Sequence, residues 1–471
     1  MKCIYLGGLA GVDSLVEFVR DQKGSILLYE SRDAHVKNVG FKKLEKTYRT
    51  FCIDDLTNIA NESVRDTEKD VDRESIIRAV SNDSRLQQLK SRDQRIDFSG
   101  AFATVCKCND LIERAIEFYE CNHPSETYCG YSPHTIESFV FMRTMEECNV
   151  KVIKLINSPL PWIFLPMEGL SNESQVYVRT VESKNLEAQR VKVDEYFSVL
   201  KGEYEQAIPY YDRSPKISFV KRLMSYWNSL SPKSLVREYE KKIGYKEFKD
   251  SIIPHEITAS YGVYFLHYQP ESNTLPDAEI YNDQYLAIKK ISSSLPDGMI
   301  LVLKEHPSTF AKRCDLRFRP KGFYKRLVSL PNVAMCPLDT PTFDLIDSAA
   351  FVSSITGVCL TEALARGVPI IFFNSARFTE FPENVVIDGS KETLERLSVA
   401  ILKIVSPSFT FPHDDVTDSF IDLVTYGYDG SDKDFFILTS VAQELRVTEK
   451  VNLEMMHDFF RETIRCSKLV L

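Results

Sequence analysis

Several short stretches carry residues whose types and spacing could do chemistry. LVLKEHPST places Lys304, Glu305, His306 and Pro307 at the end of a strand-like apolar run. Ionisable groups there are costly unless each meets a partner or a ligand. FVSSITGVCLTEALARG ends a second run on Ser353 and Ser354, then turns through Thr356 and Gly357 into a helical pattern. Hydroxyls and backbone N–H groups at a strand-to-helix turn make a ready phosphate site. Glu362, further along that helix, could accept hydrogen bonds from ribose hydroxyls. YFLHYQPESNT ends a third run on Gln269, Pro270 and Glu271. His306 and Lys304 could bind a nucleotide phosphate and stabilise it as a leaving group. Gly7 and Gly8 close the first apolar run and would let the backbone approach a ligand. An ordinary helix cap, a loop histidine and a tight turn are the bland alternatives for these features.

The elements that must position these residues alternate along the chain. KCIYLGG, GSILLYE, ATVCKC, SETYCGYS and KVIKLINS read as strands, with ESFVFMRTMEECN a helix between the last two. GVYFLHYQ, GMILVLKEH, NVAMC, AAFVSS and VPIIFF read as a second set, separated by the helical patterns YNDQYLAIKKISSSL, TFDLIDS and GVCLTEALARG. Such β-α alternation predicts two parallel, doubly wound sheets, and ligands in such sheets sit at the carboxyl ends of the strands. The expected division is an N-terminal α/β domain over 1–170 with a helical insertion at about 45–97, and a helical connector over 171–256. A second α/β domain follows over 257–407, and a mainly helical segment over 408–471.

Composition limits the classes of function. At 471 residues the chain is long enough for two or more domains, and 44% hydrophobic with 27% charged residues is ordinary for a globular protein. A formal net charge of -9 argues against nucleic acid as a partner. The eleven cysteines are scattered, and Cys106-x-Cys108 alone lacks the second ligand pair of a zinc site. No metal and no other cofactor is expected: Asp432 to Asp434 and the His-Asp-Asp of 413–415 read as turn and connector. The opening MKCIYLGGLAGVDSLVEFVR reads as strand, turn and helix rather than a signal peptide. With no run of about 18 apolar residues, a soluble cytoplasmic protein is expected. KISFVKRLMSYWNSLSPKSLVREYEKK interleaves basic and apolar residues and could either pack inward or rest on an anionic inner-membrane surface.

Taken together, HYQPES, YNDQ, LKEHPST and SSITGVCLTEALARGVPIIFF resemble the bacterial capsule polysaccharide biosynthesis family, which includes Kdo (3-deoxy-octulosonate) transferases. The likeness is specific over about 261–374 and looser over YSPHTIESFVFMRTMEECNVKVIKL. It implies a GT-B fold, two Rossmann-like domains facing a cleft, with nucleotide held mainly by the second. It further implies a phosphate contact at His306 and Pro307, a place near the donor sugar for Gln269, Pro270 and Glu271, and nucleotide contacts at Thr356, Gly357 and Glu362. Many relatives continue the turn as Thr-Gly-Thr, whereas here Val358 and Cys359 follow Gly357, so one hydroxyl is lost. A base for the acceptor hydroxyl would come from the N-terminal side, His134 first and Glu137 in reserve, with Glu271 another candidate base or stabiliser. The implied partners are a nucleotide-sugar donor, a CMP-linked ulosonic acid favoured, and a glycan or lipid-linked glycan acceptor. A sugar-nucleotide 2-epimerase and a non-catalytic nucleotide- or glycan-binding subunit are the competing classes.

Overall fold

A computed structural model describes residues 2–5, 26–29, 50–52, 71–92, 98–129, 133, 135–160, 163–170, 186–202, 232–252, 259–269, 274, 277–310, 319–373, 376–378, 381–426 and 428–429. Two sheets organise them. The first contains β1 (Lys2–Tyr5), β2 (Ile26–Tyr29), β3 (Thr50–Cys52), β4 (Glu126–Cys129), β5 (Lys151–Asn157) and β6 (Ile163–Glu168). Its order is β3-β2-β1-β4-β5-β6, parallel through β5, with β6 returning antiparallel. The second contains β7 (Tyr261–Phe265), β8 (Ile300–Lys304), β9 (Val333–Met335), β10 (Phe351–Ser354), β11 (Ile370–Phe372) and β12 (Val386–Asp388). All its pairs are parallel, in the order β9-β8-β7-β10-β11-β12. In both sheets the chain winds outward from the first strand and then crosses to its other side. That is the Rossmann-like order, with switch points between β1 and β4 and between β7 and β10.

The helices cover these sheets as their apolar faces require. α1 (Arg73–Ser81), α2 (Ser84–Arg92), α3 (Phe98–Asn122) and α4 (Ile136–Glu147) form one core with Val152 of β5. The connector supplies α5 (Leu186–Lys201) and α6 (Pro232–Asp250). The second sheet carries α7 (Gln284–Ser292), α8 (Phe323–Val328), α9 (Thr342–Asp347), α10 (Val358–Ala365) and α11 (Leu394–Ile404). β8 alternates as a sandwiched strand must: Val302 enters one core, Leu301 and Leu303 the other. At the centre of the sheet, a Cβ added to Gly262 would stand 2.2 Å from the Phe351 ring, so the ring occupies the space a side chain would need.

Four expectations are corrected. ATVCKC is not a strand but part of the 25-residue helix α3, whose Cys108, Leu111, Ile112, Ala115, Ile116 and Tyr119 line one buried face at helical spacing. The stretch 45–97 is not wholly helical, since Thr50–Cys52 is β3 of the sheet. The first sheet is mixed rather than parallel throughout, because β6 runs antiparallel. Pro412 to Asp415 is no connector: α12 (His413–Tyr426) begins there and packs on α5 and β6. After it, β13 (Tyr428–Asp429) pairs antiparallel with β6, bringing the chain back to the first sheet. The 217–227 part of the basic amphipathic stretch and Asp432 to Asp434 lie outside the described residues.

Candidate functional site

The carboxyl ends of β7, β8 and β10 converge at the switch point of the second sheet. Glu305, one residue beyond β8, is fully buried. Its carboxylate accepts from Arg319 Nε at 2.8 Å and Nη2 at 3.0 Å, from Tyr324 OH at 2.7 Å, from the His306 N–H at 2.7 Å and from Thr309 Oγ1 at 3.0 Å. Burial alone would raise this carboxyl, but the Arg319 guanidinium and these donors hold it below the ordinary range. Arg319 reaches the neighbouring strand as well, donating to the His267 carbonyl at 2.8 Å and to Gln269 Oε1 at 3.2 Å. It ties the exits of β7 and β8 together beneath the rim.

Lys304 lies elsewhere. Its ammonium donates to the carbonyls of Pro337 and Leu338 beyond β9, and burial pushes its pKa down. Half-buried His306 and exposed Pro307 stand at the rim, the imidazole 5.8 Å from the Tyr268 ring. Gln269 is buried with both ends of its amide engaged. Its Oε1 accepts from Arg319 and from Gln284 Nε2, and its Nε2 donates to the Asn282 carbonyl.

Beyond β10 the hydroxyls divide. Ser353 donates to the Ile371 carbonyl at 2.7 Å and Ser354 to the Phe265 carbonyl at 2.9 Å, so both stitch adjacent strands. Thr356 is different: its Oγ1 is buried and has no hydrogen-bond partner. Its N–H donates to His267 Nε2 at 3.0 Å, and its carbonyl accepts from Arg377 at 3.3 Å. Gly357 is the N-cap of α10 and has no side chain to cap it; the Leu360 N–H turns to the Gly357 carbonyl at 3.1 Å, so the N–H groups a ligand would meet are those at the very start of the helix. On the same helix, burial pushes the Glu362 carboxyl up to about 7 against the pull of Arg366.

In the first domain, Glu137 sits in the first turn of α4, buried and ion-paired with Lys107 of α3. Thr135 and Ser138 cap that helix reciprocally. The structure thus brings together Gln269, His306, Pro307, Ser353, Ser354, Thr356 and Gly357 around one edge, with Glu362 further along α10, the Lys304 ammonium turned away to the carbonyls beyond β9, and Glu137 in the other domain. His134, Pro270, Glu271, Gly7 and Gly8 lie outside the described residues. Three residues here were not anticipated from sequence, namely His267, Arg319 and Arg377. His267 had a signal, standing two residues before Gln269 on the same strand exit. Among the described residues, no cluster of three or more His, Cys, Asp or Glu could hold a metal ion, and no helix is long and apolar enough to cross a membrane.

This site and the two doubly wound sheets define a two-domain Rossmann-like α/β protein. No family model matches the chain, and no curated protein matches it. Among solved structures, it is similar to the beta Kdo 2,7 transferase region of KpsC from Thermosulfurimonas dismutans at 12% identity and TM-score 0.29, over 66% of this chain and 88% of that one. A UDP-GlcNAc 2-epimerase from Methanocaldococcus jannaschii aligns at 12% identity and TM-score 0.25, over 91% and 100%. A glycosyltransferase from Rickettsia africae ESF-5 aligns at 11% identity and TM-score 0.28, over 96% and 98%. Likenesses this distant do not carry any of these activities to this chain.

Proposed function

We propose that this chain is a GT-B glycosyltransferase that moves a sugar from a nucleotide-activated donor, a CMP-linked ulosonic acid favoured, to a glycan or lipid-linked glycan acceptor. The observation that carries the reading is the exit of β10: an uncapped helix N-terminus joined to a buried, unpartnered Thr356 hydroxyl. Both are donors without acceptors, and His306 and Arg377 stand beside them near His267. A phosphate supplies the missing acceptor. Glu362, on the same helix, suits the ribose, since its carboxyl can both donate and accept near pH 7.

In this reading the donor phosphate rests on the α10 N-terminus and His306 stabilises it as the sugar–oxygen bond breaks. The acceptor hydroxyl forms the new bond and gives its proton to a base, His134, Glu271 or Glu137. No metal or other cofactor is invoked, and the acceptor would be met in the cytoplasm or at the inner-membrane surface. The resemblance over 261–374, with HYQPES beside LKEHPST, favours a transferase over a 2-epimerase.

Thermal unfolding with CMP, UDP, GDP and ADP tests the reading. A nucleotide at about 100 times its dissociation constant adds roughly 2.7 kcal/mol to the folded state. Selective stabilisation by CMP, lost in His306→Ala, is expected. Stabilisation by UDP alone keeps a transferase but moves the donor class and reopens the epimerase, and no shift with any nucleotide overturns the reading.

A further inference from the structure

His267 reaches from one strand exit to another. It leaves β7, yet its ring lies against the turn that joins β10 to α10. There Nε2 accepts the Thr356 N–H at 3.0 Å and stands 3.1 Å from Ser354 Oγ. Its backbone is held on both sides, the N–H by Gln284 Oε1 at 2.7 Å and the carbonyl by Arg319 at 2.8 Å. A backbone N–H can only meet a ring nitrogen that carries no hydrogen, so the hydrogen of this neutral imidazole sits on Nδ1. Burial pushes the ring down to about 3, and His306, Arg377 and Arg319 push the same way, so it stays neutral.

The turn itself is closely confined. A Cβ at Gly357 would stand 2.9 Å from Cys359 Sγ, 3.2 Å from Ser354 Oγ and 3.7 Å from His267 Cε1. Imidazole, hydroxyl and thiol therefore surround the glycine. Because His267 takes up the Thr356 N–H, that amide is withdrawn from any ligand. The N–H groups next in line, before that of Leu360, which turns to the Gly357 carbonyl at 3.1 Å, stand at the start of α10 where no N-cap side chain takes them.

We infer that His267 is a positioning residue, a fixed acceptor that orients the Thr356–Gly357 turn so that the Thr356 hydroxyl and the first N–H groups of α10 meet the phosphate of the donor nucleotide. The inference rests on the nucleotide-sugar reading above and names a residue which that reading did not include.

Two substitutions separate acceptance from bulk. His267→Gln retains an oxygen that can stand where Nε2 accepts, whereas His267→Phe fills the space and accepts nothing. Titration calorimetry with the nucleotide that most stabilises the wild type is expected to show binding weakened roughly tenfold or more in His267→Phe and largely restored in His267→Gln. His267→Asn, whose shorter side chain stops its oxygen short of the Thr356 N–H, replaces the Phe variant if that one does not fold. In the wild type, the ¹⁵N imidazole signal that disappears in His267→Gln should report a bare Nε2 and a protonated Nδ1, unchanged from about pH 5.5 to 8. Equal binding by wild type and His267→Phe, or a proton on Nε2, overturns the inference alone. Failure of the wild type to bind any of the four nucleotides overturns the donor reading, and the inference with it.

Discussion

At the scale of single residues, the edge of the second sheet is held by one buried ion pair. Arg319 and Glu305 are exposed by 5% and 0%, and each compensates the other's loss of water. Removing one partner leaves an unpaired buried charge, which costs about 3–5 kcal/mol. Arg319→Met is therefore expected to lower the unfolding free energy read from urea denaturation by that amount, and Arg319→Met with Glu305→Leu to recover part of it. An unchanged midpoint in the single variant would show the pair to be dispensable. Glu362 has the opposite electrostatics. A carboxyl whose folded pKa is raised stabilises the fold only while protonated, so its contribution is complete below about pH 4.5 and lost as the pH rises through about 7. Wild type should lose stability relative to Glu362→Gln across that window, by at most about 1.4 kcal/mol per pH unit. Parallel pH profiles would refute this. The sequence could single out His306 and Thr356 because each stands beside a strand end, where local pattern fixes position, and Glu362 because it follows in the same helix. It gave Lys304 the same standing, although its ammonium is directed to carbonyls after β9. What Arg319 does could not be read at all, since its partners lie 14 to 52 residues away and only the folded sheet brings them together.

Elements are decided by the fit between strand and strand. β7 is the central strand of its sheet, between β8 and β10, and its Gly262 pairs with Phe351. The phenyl ring sits where a Cβ would be, so Gly262→Ala must push the ring into a core with little free volume. Overpacking of this kind costs about 1–3 kcal/mol, and a contact at 2.2 Å belongs at the upper end. The expected result is a cooperative unfolding transition at a lower midpoint; a midpoint equal to wild type would mean that Phe351 has room to turn. The strands of this sheet were legible because burial on both faces makes each a short apolar run bounded by polar turns. β12 (Val386–Asp388) was not read from the sequence. ATVCKC misled for a related reason. Its Val and Cys residues mimic a short strand, and only the longer spacing through Tyr119 reveals the helix.

At the scale of the whole molecule, the returning end of the chain helps to join the two sheets, beside the connector helix α5 and the contact of α2 with residues 279–282. Leu160, Ile163 and Leu165 from β6 and its approach share one continuous core with Val193, Phe197 and Leu200 of α5, with α12 and with the second sheet. Phe420 of α12 stands edge-on to Phe197 at 4.9 Å and to Phe381 at 5.0 Å, linking connector, last helix and second domain through a single ring. No local pattern in 408–471 announces this, because the partners of α12 are spread over the preceding 260 residues. α12 buries Val416, Phe420, Ile421, Leu423 and Val424, each contributing about 1.5–3 kcal/mol. Their sum rivals the roughly 5–15 kcal/mol that usually separates a folded domain from its unfolded chain. A chain ending at Pro407 should therefore aggregate or bind a hydrophobic dye strongly, whereas Phe420→Ala in the full chain should stay soluble and lose about 3–5 kcal/mol. A truncated chain that is soluble and melts cooperatively at the wild-type temperature would show that α12 covers the core without supporting it. The two sheets would then have to be joined through α5, β6 and the contact of α2 with residues 279–282, where Gln88 donates to the Glu279 carbonyl at 2.6 Å.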